Sequence, residues 1–281
     1  MAQLLKGAPA AAALTEELAK RCGALKDRNI RPTLALLRIG ENESDLAYER
    51  GIEKRCAAVG IEVRKVLLPA DTDQASVLSA IADINSNADI HGCLMFRPLP
   101  KHLDEAAICE ALDANKDADC MTERSLTHVF TGRGDGFAPC TAESCIEILK
   151  YYGYNLSGKN VAVIGRSLVI GKPDSMLLQK ENATVTMCHT KTVDLPSVCR
   201  DKDILVVAAG RARIVDASYT NASQAVIDVG INVDPDGNMC GDVDLSSVEP
   251  VCGAVTPVPG GVGSVTTAIL CRHVIEAAER L

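Results

Sequence analysis

Tryptophan is absent from this 281-residue sequence, and aromatic residues make up only 3% of it. Its cores must therefore be aliphatic, and the 47% of hydrophobic residues is enough to build them. No apolar run reaches the roughly 18 residues that a membrane span needs. The alanine-rich stretch APAAAAL near the start is too weakly apolar for a signal peptide, and it continues into the amphipathic TEELAKRC. We therefore expect a cytoplasmic protein.

Concentrated positive charge and paired metal ligands are also missing. The net charge is −8, and no cluster of basic residues offers the surface that nucleic-acid phosphates require. The twelve cysteines form no C-x-x-C pair, and the nearest two are Cys140 and Cys145. A zinc site needs closely spaced Cys or His ligands, so no metal is predicted. The cysteines are interpreted as reduced, buried, small apolar residues.

The first half of the chain alternates short strands with helices. PTLALLRIG, IEVRKVLLP and IHGCLMFRPLP read as strands, and the segments between them have helical spacing. Asp73 is the predicted N-cap of the helix that begins DQASVLSAIADINSN. Such an alternation predicts a parallel sheet with helices packed on it. We place this first α/β domain at residues 1–141.

The second half reads as a doubly wound, Rossmann-like domain over residues 142–264. Its strands KNVAVIG, TVTMCH, ILVVAAG and QAVIDVGIN are rich in Val, Ile and Ala, as strands buried on both faces are. The final helix, TTAILCRHVIEAAER within residues 265–281, is expected to return to the first domain. At 281 residues, two α/β domains suit the length better than one.

The segment VIGRSLVIGKP is the first chemical signal. A strand leads into a glycine turn at Gly165, and a helix is expected to start near Pro173. Backbone N–H groups and the helix dipole at such a turn favour a pyrophosphate. The spacing is not G-x-G-x-x-G, so an ordinary strand-to-helix turn remains the alternative.

The residues after the next strand favour NADP over NAD. NAD sites usually carry an acidic residue there for the ribose hydroxyl. Here the strand ends in CHTKT, with no acidic residue before Asp194. Arg166, Thr190 and Lys191 instead lie where a 2′-phosphate would bind, although the two cations could simply be solvated. NAD therefore stays open as the cofactor.

A loop rich in glycine and proline, TPVPGGVGSVT, precedes the last helix. Such a loop presents few side chains and lets a flat ligand approach the backbone. Together with GRSLVIGKP, ATVTMCHTKT and DVGINVDPDGNMCGDVD, it closely resembles the FolD family of 5,10-methylenetetrahydrofolate dehydrogenase/cyclohydrolases. The resemblance extends to AYERGIEKRCAAVGI, RPLPKHLDE, NKDAD and FAPCT, and so covers almost the whole chain. It implies a folate cleft between an α/β domain and a Rossmann-like domain, and a homodimer.

The sequence departs from the family pattern in its folate site. Tyr48 matches the family's tyrosine, but Ile52 stands where a lysine is implied four residues later. Phe96 replaces the glutamine implied as that lysine's partner, and Arg97 replaces a leucine. The implied glycine after Asp119 is Cys120.

These departures bear on the two reactions of the family differently. Dehydrogenation needs orientation of the substrate and a hydride acceptor. Hydrolysis of the methenyl product needs a group that activates water and moves protons. Tyr48 and Ile52 share a helix face, whereas Lys54 points away and Arg55 lies about 10 Å along the axis. The sequence therefore predicts a methylenetetrahydrofolate dehydrogenase with cyclohydrolase activity lost or severely reduced.

The resemblance implies the remaining site residues. Tyr48 would orient the folate ring, and Asp119 would bind the amino edge of the pterin. The other expected folate contacts are Leu99, Pro259, Gly260 and Gly263. The expected cofactor contacts are Gly165, Arg166, Ser167, Thr190, Gly210, Ile231 and Thr266. Three alternatives remain: a bifunctional enzyme in which Arg97 or bound water replaces the lysine, a catalytically silent ligand-binding paralogue, and a Rossmann dehydrogenase for another substrate.

Overall fold

The computed structural model describes residues 1–134 and 136–281, and they divide into two compact units. One unit contains Ala13–Cys140 and Thr267–Leu281 around a three-stranded sheet, and we call it the three-stranded unit. The other contains Met1–Ala12 and Thr141–Thr266 around a six-stranded sheet, and we call it the six-stranded unit. Each is described below by itself.

The strands and helices follow the predicted α/β alternation. The strands are β1 (Gln3–Leu4), β2 (Thr33–Ile39), β3 (Glu62–Leu68), β4 (Gly92–Met95), β5 (Asn160–Ile164), β6 (Thr184–Cys188), β7 (Ile204–Val207), β8 (Ala225–Asp228), β9 (Asn232–Val233), β10 (Met239–Cys240) and β11 (Ala254–Val255). The helices are α1 (Gly7–Asp27), α2 (Glu43–Val59), α3 (Gln74–Ser86), α4 (Glu105–Glu110), α5 (Glu123–Thr131), α6 (Cys140–Tyr151), α7 (Gly171–Lys180), α8 (Leu195–Arg200), α9 (Leu245–Val248) and α10 (Thr266–Glu279).

The three-stranded sheet is parallel, in the order β3-β2-β4. The central strand β2 is buried over all but its last residue, which explains its nearly continuous aliphatic sequence. Asp73 caps α3, as predicted, by accepting a hydrogen bond from the Ser76 N–H. Helix α10 packs on this unit, also as predicted: the His273 Nδ1 lies 2.8 Å from the Ala118 carbonyl oxygen.

The six-stranded sheet is also parallel, in the order β1-β11-β8-β7-β5-β6. The chain moves from β5 outward to β6 and then crosses back to β7 on the other side of β5. That reversal is the topological switch point at which doubly wound sheets bind ligands. An apolar core covers the sheet, built from buried residues of β5, β7, β8 and β11.

The first residues of the chain belong to the six-stranded unit. Strand β1 pairs with β11, so residues 1–12 extend that sheet. The sequence-based division placed these residues in the first domain, because a two-residue strand with a partner 250 residues away leaves no local pattern. Its other two boundaries lie within two residues of the observed ones.

All twelve cysteines are free and buried, and their burial is that expected of small apolar residues. Among the described residues, no group of three or more His, Cys, Asp or Glu side chains could hold a metal ion. No helix in the described ranges is long and apolar enough to cross a membrane.

Candidate active site

A cavity of about 500 Å³ lies at the carboxyl ends of β5, β6 and β7, beside the switch point. Each strand contributes the residues that follow it. Besides the aliphatic Ile164, Leu195 and Ile214, the lining residues are Gly165, Arg166, Ser167, His189, Thr190, Thr192, Ala208, Ala209 and Arg211. The sequence-predicted Gly165, Arg166, Ser167 and Thr190 therefore come together in one cavity.

Two glycines allow the loop after β5 to pack tightly. A Cβ at Gly165 would lie 2.3 Å from the Ala208 carbonyl oxygen, and one at Gly171 would lie 2.3 Å from the Gly165 oxygen. Between them, the Ser167 hydroxyl accepts a hydrogen bond from the Ile170 N–H at 3.1 Å. Helix α7 begins at Gly171, two residues before the expected Pro173. The loop and the helix start present the backbone arrangement that binds phosphate groups.

The lining of this cavity is positively charged. Arg166 and Arg211 are exposed, and neither makes an ion pair with another described residue. The lining contains no Asp or Glu. The loop after β6 is ordered locally, since His189 Nδ1 accepts the Lys191 N–H at 3.1 Å and the Thr192 hydroxyl accepts the His189 N–H at 2.9 Å. The cavity suits a ligand with several phosphate charges.

The second candidate region lies around Tyr48 on helix α2, in the three-stranded unit. Helix α2 is capped by Asn42 and ends at Gly60, whose φ of 95° lies in the left-handed region. Its buried stripe consists of Glu49, Ile52, Cys56 and Val59. Ile52 has no exposed surface, whereas the side chain of Tyr48 beside it remains 38% exposed.

Tyr48 contacts Phe96 edge to face, with ring centroids 6.1 Å apart and an interplanar angle of 82°. Phe96 follows β4 and is buried, with 6% of its surface exposed. Such edge-to-face pairs are a favoured aromatic geometry. Phe96 thus packs against the Tyr48 ring, and both position 96 and the buried position 52 carry apolar side chains.

Asp119 lies in the segment between α4 and α5, directly before Cys120. Its Oδ1 accepts the Cys140 N–H at 2.9 Å. Burial raises the pKa of Asp119, while the hydrogen bond from Cys140 and the charges of Arg97 and His273 oppose that rise. Cys120 has a φ of 58°, in the left-handed region that favours glycine. The residue implied by the family has changed there, but the backbone keeps the conformation that glycine adopts.

The glycine and proline loop lies in the six-stranded unit. Gly260 has a φ of 100°, and its carbonyl oxygen accepts the Gly7 N–H at 2.9 Å. Pro259, Gly260 and Gly263 are exposed, and the Thr266 hydroxyl donates to the Gly263 carbonyl oxygen at 3.2 Å. The start of α1 therefore braces a loop whose outer surface is nearly free of side chains.

Comparison with known proteins identifies the family. Residues 5–119 match the catalytic domain of tetrahydrofolate dehydrogenase/cyclohydrolase, and residues 139–281 match its NAD(P)-binding domain. The chain belongs to the tetrahydrofolate dehydrogenase/cyclohydrolase family. The resemblance inferred from the sequence is thereby confirmed, as is the two-domain α/β fold.

Individual relatives match over their full length. The bifunctional protein FolD of Carboxydothermus hydrogenoformans is 50% identical over 283 residues, which cover 100% of this chain and 99% of the relative. The crystal structure of the bifunctional FolD enzyme of Campylobacter jejuni is similar with a TM-score of 0.96, 34% identity and complete coverage of both chains. The FolD structure from Trypanosoma brucei, complexed with NADP cofactor and an inhibitor, has a TM-score of 0.92 and 32% identity over 99% of this chain and 98% of that one.

The family assignment identifies the six-stranded unit as an NAD(P)-binding domain, and its cavity fits that cofactor. Four of the seven predicted cofactor residues line the cavity. Gly210, Ile231 and Thr266 are not among its lining residues, and their contacts remain predictions. Gly210 sits between the lining residues Ala209 and Arg211, and Ile231 is 68% exposed.

Sequence reasoning missed several residues of this cavity. His189, Thr192, Ala208, Ala209, Arg211 and Ile214 all line it. The available signal was the carboxyl end of β7, since residues after central parallel strands gather at the switch point. In the three-stranded unit, Leu99 is 8% exposed, packs in the aliphatic core, and donates its N–H to Glu105 Oε2 at 2.7 Å. Its predicted folate contact remains untested.

Proposed function

We propose that this protein oxidises methylenetetrahydrofolate to methenyltetrahydrofolate, with NADP⁺ as hydride acceptor and with cyclohydrolase activity lost or severely reduced. The family assignment supports the folate substrate and an NAD(P) cofactor. When bound, the nicotinamide supplies the hydride acceptor. The observation that carries the proposal is the apolar, fully buried Ile52 one helical turn from Tyr48, with Phe96 packed against the Tyr48 ring.

The dehydrogenase and cyclohydrolase reactions place different demands on positions 52 and 96. The substrate nitrogens stabilise the cation that forms as hydride leaves, so the protein has mainly to orient the ring. Hydrolysis of the methenyl group requires water activation and proton transfer by a side chain in reach. Neither Ile52 nor Phe96 has a side-chain group that can activate water or transfer a proton.

The nearest cations do not replace the implied lysine. Lys54 is exposed on another side of α2. Arg55 donates to the hydroxyls of Thr15 and Thr267, at 2.7 and 3.3 Å. Arg97 lies 4.0 Å from Glu105, and a guanidinium stays protonated, which makes it a poor general base. These contacts support the view that the role of the implied lysine is lost, and that no neighbouring cation has taken it over.

The preference for NADP rests on the charge of the cavity. Arg166 follows the glycine turn, Thr190 and Lys191 follow β6, and none of the lining residues is acidic. A 2′-phosphate adds negative charge that such a lining favours. NAD⁺ remains the competing cofactor, and the same assay compares the two.

The other roles are proposed from the family pattern. Tyr48 orients the folate ring, and Asp119 accepts hydrogen bonds from the amino edge of the pterin. Pro259, Gly260 and Gly263 shape the contact between folate and nicotinamide. A homodimer is also proposed, and its mass in solution tests that assignment separately.

A bifunctional enzyme is the second candidate. The relatives that match along the whole chain, including the one at 50% identity, are named bifunctional. A catalytically silent, ligand-binding paralogue is the third candidate, and it predicts binding of folate and cofactor without turnover.

The test compares two rates on the same enzyme preparation. Reduction of NADP⁺, and separately of NAD⁺, is followed with methylenetetrahydrofolate. Decay of methenyltetrahydrofolate is then followed with and without enzyme. We expect cofactor reduction without accelerated methenyl decay. Accelerated decay establishes the bifunctional enzyme, and the absence of both signals together with ligand binding establishes the silent paralogue.

A further inference from the structure

Asp242 is a fully buried carboxylate that accepts four hydrogen bonds, two on each oxygen. Oδ2 accepts the N–H groups of Ala209 and Gly210 at 2.6 and 2.8 Å. Oδ1 accepts the Arg211 N–H and the Asn232 side-chain amide, both at 2.9 Å. Its side chain makes no ion pair with a described residue. The carboxylate thus fills a nest of three successive backbone N–H groups.

The donors belong to two loops that are far apart in sequence. Residues 209–211 follow β7, and Ala209 and Arg211 line the cofactor cavity. Asn232 directly follows Ile231, which the sequence analysis predicts to contact the cofactor. One carboxylate therefore fixes both loops, and its position sets the distance between them.

A second buried carboxylate, Asp228, holds Asp242 in place. Asp228 Oδ1 accepts the N–H groups of Gly230 and Asp242 at 2.9 and 3.0 Å, and Oδ2 accepts the Val243 N–H at 3.0 Å. The approach is so close that a Cβ at Gly241 would lie 1.8 Å from Asp228 Oδ2, and one at Gly230 would lie 2.4 Å from Asp242. This packing accounts for Gly230 and Gly241, two of the three glycines of the segment DVGINVDPDGNMCGDVD.

We propose that Asp242 is a positioning residue for the cofactor. It acts by holding the 209–211 loop and the Ile231–Asn232 segment at a fixed distance from each other. This inference rests on the proposed function, because it assumes that the cavity binds NADP. Asp242 does not contact the reacting atoms. Its contribution is the fixed geometry of the two loops that do the binding.

The test is Asp242→Asn, a nearly isosteric change. The amide keeps one acceptor oxygen but turns an NH₂ group toward two N–H donors, so two hydrogen bonds are lost and the loops are pushed apart. We expect KM for NADP⁺ and the Kd of NADP⁺ measured by calorimetry to rise roughly tenfold. We expect kcat at saturating cofactor and KM for methylenetetrahydrofolate to change less than about threefold.

Asp234→Asn is the matched control. Asp234 lies two residues after Asn232, but among the described residues its carboxylate accepts hydrogen bonds only from Asp236, Asn238 and Arg213. It should leave NADP⁺ affinity unchanged. If Asp242→Asn does not fold, Asn232→Ala removes one of the four bonds and should raise KM for NADP⁺ by roughly threefold to tenfold.

The outcomes separate this inference from the proposed function. If the wild-type protein binds NADP⁺ and the folded Asp242→Asn variant binds it equally well, the positioning role is overturned. Unchanged cofactor affinity in a folded Asn232→Ala does the same when Asp242→Asn fails to fold. A lower kcat at unchanged KM indicates only a smaller folded fraction, and also overturns it. Wild-type protein that binds NADP⁺ but fails to oxidise methylenetetrahydrofolate contradicts the proposed function and leaves the calorimetric comparison decisive.

Discussion

At the scale of single residues, the proposed loss of cyclohydrolase activity depends on Ile52 and Phe96. Ile52 is fully buried, so a lysine there would lose the hydration of its ammonium group. Such burial lowers the pKa of a lysine and allows it to act as a base near neutral pH. An isoleucine in the same place contributes only packing. The difference between the two side chains is therefore chemical rather than steric.

Restoring the polar couple should restore hydrolysis. The variant with both Ile52→Lys and Phe96→Gln should accelerate methenyltetrahydrofolate decay by at least about tenfold over wild type, because it supplies a proton-moving group. The matched control is Ile52→Met with Phe96→Gln, which keeps the chain length at position 52 without the amine. Equal decay rates in the two double variants would show that water activation depends on another group.

Arg166 lines the cofactor cavity, and we propose that its charge favours NADP⁺ over NAD⁺. Arg166→Gln should raise KM for NADP⁺ roughly tenfold, the effect of losing a hydrogen bond between charged groups, with less than about twofold change for NAD⁺. Added salt should reduce the wild-type preference. Arg200→Gln, at an exposed arginine outside the cavity lining, is the control. A parallel loss of NAD⁺ affinity would assign Arg166 to the pyrophosphate instead.

At the scale of secondary-structure elements, a largely buried group of ion pairs around Glu49 ties helix α2 to the sheet. Glu49 accepts hydrogen bonds from Arg38 and Lys65, each at 2.8 Å. Burial alone would raise the pKa of Glu49, but the hydrogen bonds from Lys65 and Arg38 outweigh it and lower the pKa below its ordinary value. This contribution is therefore complete above the unfolded-state pKa of the carboxyl, and it is lost as the pH falls through the lower folded-state pKa.

Removing the Glu49 charge should destabilise the three-stranded unit. In Glu49→Gln the guanidinium of Arg38, 5% exposed, loses its counter-charge, which costs about 3–5 kcal/mol of unfolding free energy. Glu53→Gln is the control, because Glu53 pairs only with the half-exposed Lys65 and its loss should cost less than about 1 kcal/mol. Urea denaturation of both variants measures the difference. Similar midpoints for the two would contradict a structural role of the cluster.

Helix α7 carries a buried carboxylate whose pKa is shifted in the opposite direction to that of Glu49. Asp174 is fully buried, and neither of its carboxylate oxygens has a hydrogen-bond partner among the described residues. Burial raises its pKa from 3.8 to about 8. Between those two values the folded protein keeps a proton that the unfolded chain has lost. The contribution of Asp174 to the unfolding free energy of the six-stranded unit therefore falls as the pH rises from about 4 to about 8.

Asp174→Asn should remove most of that pH dependence. The variant should be more stable than wild type near pH 8, by an amount on the order of 5 kcal/mol, and nearly equal to it near pH 4. Denaturant midpoints across this range provide the measurement. The exposed Asp201→Asn in the same unit controls for the loss of one carboxylate. A constant difference between Asp174→Asn and wild type at every pH would show that the carboxyl does not titrate in this window.

At the scale of the whole molecule, the sequence predicts most of the fold because the buried parallel strands are locally apolar. Strands β2 to β8 and the Asp73 cap can each be recognised from the residue types within a short stretch of sequence. The pairing of β1 with β11 leaves no such local sequence pattern, which is why residues 1–12 were placed in the other domain. The same limit applies to the site: Gly165 and Arg166 stand in a recognisable turn, whereas Arg211 reaches the cavity only through sheet order.

The bonds of Asp242 are a further case that no local pattern shows. They link positions up to 33 residues apart through backbone N–H groups, which carry no sequence signal. The missing partner of Asp174 is likewise a property of packing alone. Family resemblance supplied the residue types, and the structure supplied the contacts that explain them.

The most direct measurement is the product balance of a single reaction. Methylenetetrahydrofolate and NADP⁺ are mixed with the enzyme, and reduced cofactor and methenyltetrahydrofolate are quantified together over time. If Ile52 and Phe96 have removed the hydrolytic function, methenyltetrahydrofolate accumulates in an amount equal to the reduced cofactor, after subtraction of its uncatalysed hydrolysis. If the ring-opened formyl product instead appears in step with the reduced cofactor, this chain hydrolyses its own product and the assignment to a dehydrogenase alone is wrong.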